Sequence, residues 1–307
     1  MNSSEKSSHH TLHPDFTNKY ALSKELGRGG FGFVMSAYER QTGVERAVKF
    51  IIRQRVPQSA WVSDREMGII PMEIHVLKHV QHPNIIQLCD IYQDSVYFYL
   101  VMEIHGSQWE STESLRSPAL SQTSHSTLDD DYDEPARRTS CDLFECLEQH
   151  QYFDEGLAKM VFRQVVDCVA YLDTLGVCHR DIKDENIVID QDYKVKLIDF
   201  GSAVLVSPQT RFVRFYGTIL FASPEILMHK HHRAEPAEIW SLGILLYTLL
   251  FGQVPFPDPT SAISGCMVQP KIKVSFECRQ LITALLEKDP ERRPTIHQVL
   301  KHPWFIY

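Results

Sequence analysis

The chain has 307 residues, 43% hydrophobic and 23% charged, the proportions of a soluble globular protein with room for two cores. Its 31 basic and 39 acidic residues leave a net charge of −8, which offers no footing for nucleic acid or an anionic membrane. The seven cysteines are odd in number and form no CxxC pair, as in reduced thiols of a cytosolic protein rather than a disulfide or zinc framework.

Residues 1 to 19 are polar, rich in Ser and His, and lack the apolar stretch of a secretory signal, so they are expected to form a disordered tail. From 20 to 104 short apolar runs alternate with glycine and charge, as strands do: "YALSKELG", "FGFVMSAYE", "ERAVKFII" and "YFYLVMEI". One helix interrupts them, "PMEIHVLKHV", with Ile74, Leu77 and Val80 on one face and Pro71 in its first turn. Residues 107 to 140 come next, where 12 of 34 are Ser or Thr and seven acids face three arginines. Such a segment buries too little apolar surface to offset its ordering entropy and is expected as a disordered insertion. From 141 to 305 the spacing turns helical, as in "EGLAKMVFRQVVDCVAYLDTLG", which ends on Gly176 as C-cap. "IWSLGILLYTLLFG" is too short for a bilayer and is expected as a buried helix, with no membrane insertion. A strand-rich front and a helix-rich back predict an α+β chain in two lobes.

The chemistry-bearing residues begin with "GRGGFGFV". Gly27, Gly29 and Gly32 between two strands let backbone amides approach phosphate oxygens, and a strand rather than a helix succeeds them, which disfavours a dinucleotide fold. Lys49 lies in an apolar strand, "RAVKF", and pairing with Glu73 on the next helix would hold it against α- and β-phosphates. In "HRDIKDENIVID", Asp181 can accept the proton of an attacking hydroxyl and Lys183 can neutralise charge on a γ-phosphate. Asn186 and the Asp199 of "IDFG" supply hard oxygen ligands of the kind Mg²⁺ prefers.

With these elements in order, the chain resembles the eukaryotic protein kinases over about residues 20 to 305. The resemblance implies a bilobal fold, with an antiparallel N-lobe sheet and one main helix over a mostly α-helical C-lobe. It implies ATP and Mg²⁺, with protein Ser/Thr hydroxyls as acceptors. Leu26, Gly27, Arg28, Gly29, Gly30, Phe31, Gly32, Phe33 and Val34 would cover the phosphates, together with Ala47, Lys49 and Glu73. Met102 would be the gatekeeper, and backbone groups of Glu103 and His105 would meet adenine. Asp181, Lys183 and Asn186 would be catalytic, with Asn186 and Asp199 on the metal. Leu77, Leu88, His179 and Phe200 would stack as a spine, and Glu225 of "SPE" would pair with Arg293. Asp142 and Glu185 stand where basophilic kinases hold substrate arginines, and Thr218 belongs to the peptide-binding "GT" turn.

More narrowly, "HRDIKDENIVI", "KLIDFGSA" and "EIWSLGILLYTL" look like the PAS kinase group, with the Pim kinases next, and Glu238 replaces the usual aspartate as in that group. The chain departs from it in having no PAS sensor domain within these residues and in carrying the 107–140 insertion. A basophilic Ser/Thr kinase acting on carbohydrate-metabolism enzymes is what the likeness implies, monomeric and cytoplasmic, with the nucleus open as a second location. The alternative is a kinase-fold scaffold that binds partners without turnover.

Three further readings concern single segments. Arg214 stands three residues before Gly217, where many kinases carry a phosphorylated residue, so Arg180 must be satisfied by a carboxylate, by carbonyls or by packing with Phe212, Phe215 and Tyr216. "HKHH", 229 to 232, reads as solvated histidines on a surface helix, and "RSP" and "RRTS" in the insertion as phosphorylation sites for other kinases or for the chain itself.

Overall fold

The computed structural model describes residues 10–107 and 141–306. Helix α1 (Pro14–Lys19) precedes strands β1 (Tyr20–Arg28), β2 (Gly32–Glu39) and β3 (Glu45–Ile52). A hairpin of β4 (Trp61–Asp64) and β5 (Gly68–Pro71) leads into α2 (Met72–His79), then β6 (Leu88–Gln93) and β7 (Tyr97–Met102) close the N-lobe. The main sheet is antiparallel in the order β1-β2-β3-β7-β6. Register sets Ala47 opposite Met102 and Lys49 between Val34 and Leu100. Because side chains alternate along β3, Val48 and Phe50 point to the other face, where they pack with Tyr20, Tyr99 and Val101.

That second face corrects the expected 1–19 tail. An apolar sheet face needs a cover, and α1 supplies one: Phe16 is fully buried against Tyr20, Phe50, Tyr92 and Tyr99. Pro14 and the His13 cap start the helix, whose order begins well before residue 20. The 61–71 hairpin was not predicted either. Its turn is made by a side chain, Asp64 Oδ1 accepting the amides of Glu66 and Met67 at 3.0 and 2.9 Å, with Gly68 at φ 78°.

The C-lobe begins with α3 (Leu143–His150) and α4 (Glu155–Thr174), each capped by an aspartate, Asp142 and Asp154. The small strands β8 (Val177–Cys178), β9 (Ile187–Ile189), β10 (Val195–Leu197) and β11 (Val204–Leu205) carry the loops between them. Then come α5 (Pro224–Leu227), α6 (Ala234–Phe251), α7 (Pro259–Ser264), α8 (Phe276–Leu285) and α9 (Ile296–Leu300). Helix α6 is long and apolar enough to cross a membrane, but 83% of it is buried inside the protein, as a core helix requires. Gly252 closes it at φ 64°. "HKHH" is not helical: His229 turns the chain at φ 55° just after α5, and His232 is buried and bridged to Phe212. Glu225 and Arg293 form the expected pair, bidentate at 2.7 Å with the guanidinium fully buried.

The insertion is expected to begin at 107, yet Ser107 is tied down, donating to the Ile189 carbonyl and accepting from Gln191 N–H. Gly106 abuts Cys141: a Cβ built on it would lie 2.5 Å from the Cys141 Cβ, and its φ is 98°. The segment between therefore leaves and re-enters the fold at one point. Residues 108–140, including "RSP" and "RRTS", and residues 1–9 lie outside the described residues.

Candidate active site

A cleft of about 490 Å³ opens between the lobes, roofed by residues 26–34 and walled by Ala47, Lys49, Glu73 and Met102. Glu103, His105, Asp142, Glu185, Asn186 and Asp199 complete it, so the expected nucleotide residues converge on one space. Sequence reasoning missed several apolar walls, Ile86, Ile104, Val188 and Ile198, and the half-buried Cys141. Ile104, Val188 and Ile198 lie inside quoted segments, but their apolar side chains carry no chemistry that singles them out from the core. Gly27, Gly29 and Gly30 face open space, whereas the roof comes down at Phe31, which packs on Gly201.

On the roof side, Lys49 Nζ bridges Glu73 at 2.6 Å and Asp199 at 2.8 Å. Burial opposes its charge, yet the Glu73 and Asp199 charges prevail and raise its pKa. The lysine charge in turn holds Asp199 at about 2, so this carboxylate is ionised at neutral pH. Asp199 sits at φ 61°, a left-handed conformation held by its contact with Gly201 N–H at 3.2 Å. His179 packs edge-on against Phe200 at 4.8 Å and bonds to the Ile198 carbonyl, linking the catalytic loop to this turn.

Asp181 and Lys183 do not line this cleft; they lie next to its wall at Asn186, where the Asp181 carboxylate is oriented from two sides. Asn186 Nδ2 donates to Oδ2 at 2.9 Å and to the Asp181 carbonyl at 2.8 Å. Thr218 donates to Oδ1 through its amide at 2.9 Å and its hydroxyl at 3.0 Å. Thr218, expected at the peptide groove, thus also fixes the Asp181 carboxylate. Lys183 stands 4.0 Å from Asp181 and 2.6 Å from Glu185. Glu185 is accordingly ion-paired with Lys183, and Asp142 caps α3 by accepting from Glu145 N–H at 2.9 Å. With its nitrogen committed to Asp181, Asn186 offers an amide oxygen beside Asp199, a hard-oxygen donor set that fits Mg²⁺.

Arg180 resolves the missing activation phosphate. Its guanidinium donates to the Ser202 carbonyl at 2.7 Å and lies over the rings of Phe212 and Tyr216, at 5.1 and 5.5 Å. A carbonyl and two aromatic faces do what a phosphate does elsewhere. Phe215 packs instead against Gly217, whose Cβ would meet its ring at 2.6 Å. Beneath the loop, buried Glu238 accepts from Arg180 N–H at 2.7 Å, and burial pushes its carboxyl up to about 7.

Residues 20–127 and 134–305 match the protein kinase domain family. The chain is 37% identical over 94% of its length to the PAS domain-containing serine/threonine-protein kinase of Mus musculus. It is 32% identical over 95% of its length to the serine/threonine-protein kinase PSK1 of Saccharomyces cerevisiae. In both cases it spans only 19% of the relative's length. Identity to the serine/threonine-protein kinase pim-2 of Danio rerio is 31%, over 95% of this chain and 86% of that protein.

Proposed function

Because the chain belongs to the protein kinase family, we propose that it transfers the γ-phosphoryl group of ATP to serine or threonine hydroxyls of proteins. The observation that carries this reading is the Asp181 carboxylate, held by Thr218 and by Asn186, itself a wall of the cleft whose roof presents Lys49 paired with Glu73. The acceptor oxygen bonds to the γ-phosphorus, the bond to the bridging oxygen of the diphosphate breaks, and the hydroxyl proton passes to Asp181. Lys49 orients the phosphates, and Lys183 offsets charge on the moving group. Mg²⁺, held by Asn186 and Asp199, would supply charge neutralisation on the phosphates. Water is kept from the reacting atoms by the glycine-rich roof, which Phe31 pins at Gly201.

A preference for arginine before the acceptor rests on Glu185, whose side chain is 56% exposed at the cleft mouth, and on Asp142 beside it. Enzymes of carbohydrate metabolism remain the substrate class that the PAS kinase likeness favours. A Ser/Thr peptide array with Mg·ATP tests both levels. Phosphotransfer concentrated on peptides with arginine two to five residues upstream supports them. ATP binding with no phosphotransfer on any peptide would instead favour the scaffold reading.

A further inference from the structure

Helix α2 presents two faces. Glu73 points to the cleft, while His75 and His79, one turn apart, lie on the other side with their rings 4.6 Å from each other. The β4–β5 hairpin brings Asp64 to the same place, and one donor atom from each of Asp64, His75 and His79 lies within 4.8 Å of the others. We propose that these three residues form a binding site for one zinc-type divalent cation, outside the nucleotide cleft and in addition to the activity proposed above.

Each donor is prepared differently. Asp64 is oriented by the amides of Glu66 and Met67 on Oδ1, and its side chain is only 5% exposed. His79 Nδ1 lies 2.7 Å from the His75 carbonyl; donating its proton there leaves the Nε2 lone pair for a metal, as backbone carbonyls orient imidazole ligands elsewhere. His75 Nδ1 is buried with no hydrogen-bond partner among the described residues, an arrangement that asks for a ligand. Two imidazoles and one carboxylate select zinc or its first-row neighbours over magnesium, with water in a fourth position. Tetrahedral coordination at about 2.1 Å needs donors roughly 3.4 Å apart. The exposed His79 ring can supply that closure. One group opposes it: Lys78 contacts both Asp64 oxygens at 3.0 Å. Its second partner, Glu66 at 3.1 Å, can retain the ammonium when a cation takes Asp64. An occupied site would join the hairpin to the helix that carries Glu73.

The test uses the full chain, freed of metal by chelation and without nucleotide, which itself binds zinc. Calorimetric titration with Zn²⁺ is expected to show one tight equivalent, Co²⁺ to give the visible absorption of a tetrahedral site, and Zn²⁺ to raise the melting temperature. His75→Gln and His79→Gln are each expected to weaken binding by at least the ~10–100-fold that outer-shell changes cost. Lys78→Ala is expected to tighten it, and His229→Gln/His231→Gln to leave it unchanged. Melting curves without metal check that the variants fold. Zinc binding that survives His75→Gln/His79→Gln, or that is absent from both the parent chain and Lys78→Ala, overturns the proposal.

Discussion

Arg180 and Asp181 are neighbours with opposite requirements, one a half-buried cation needing partners and the other, in the proposed reaction, a carboxylate needing access to a hydroxyl. Thr218 serves the second and Ser202 the first, so the loop is held from both ends. Asp181→Asn is expected to fold normally and to lose about 10²–10⁴ of kcat, measured against the best array peptide. Thr218→Ala, which removes one hydroxyl but leaves the amide contact, should cost less. Glu238 gives a pH signature. Its folded pKa of about 7 exceeds the ordinary 4.5, so the folded state binds the extra proton and stability falls as pH rises from about 4.5 to about 7. The fall attributable to this residue is up to about 3 kcal/mol. Melting temperatures of Glu238→Gln across that window should be flatter than those of the parent chain. An equally steep profile in the variant would show that other groups carry the dependence.

Among elements, the activation segment and α1 show what sequence does and does not reveal. Arg214 at the usual phosphosite could be read directly, because one residue type excludes one chemistry. Which carbonyl replaces the phosphate could not, since Ser202 acts through its backbone. Ser207 and Thr210 bond to each other at 2.7 Å rather than to Arg180, so Ser207→Ala/Thr210→Ala should keep most activity in dephosphorylated protein. An enzyme silent until this loop is phosphorylated would refute that. Helix α1 escaped notice because six residues with one buried side chain carry no period; its only signals were the cap and Pro14. Phe16→Ala should destabilise the N-lobe by about 3–5 kcal/mol in chemical denaturation. A loss below about 1 kcal/mol would mean that the sheet face is covered without it.

At the scale of the whole molecule, the two lobes and the cleft were legible because each motif is short, local and rich in charge. The hairpin over 61–71 was not, because its turn depends on one aspartate side chain and no Asn-Gly or Asp-Gly pair marks it. Nor was the anchoring of Ser107, since it is as polar as the residues after it and only its partners place it in the fold. Replacing residues 108–140 with a short Gly/Ser linker is expected to shift the melting temperature by only a few degrees and to leave peptide phosphorylation within about twofold, because closure entropy changes slowly with loop length.

The abutment of Gly106 and Cys141 also decides how mechanical load travels. Tension applied at Ser107 and Cys141 is balanced between neighbours, because both hydrogen-bond to the backbone of Ile189 in the C-lobe while Gly106 packs on Cys141. A partner or cargo attached to the segment would therefore load this junction first, beside His105, Cys141 and Asp142 in the cleft wall, so the segment is a mechanical handle on the cleft rather than a tether that bypasses it.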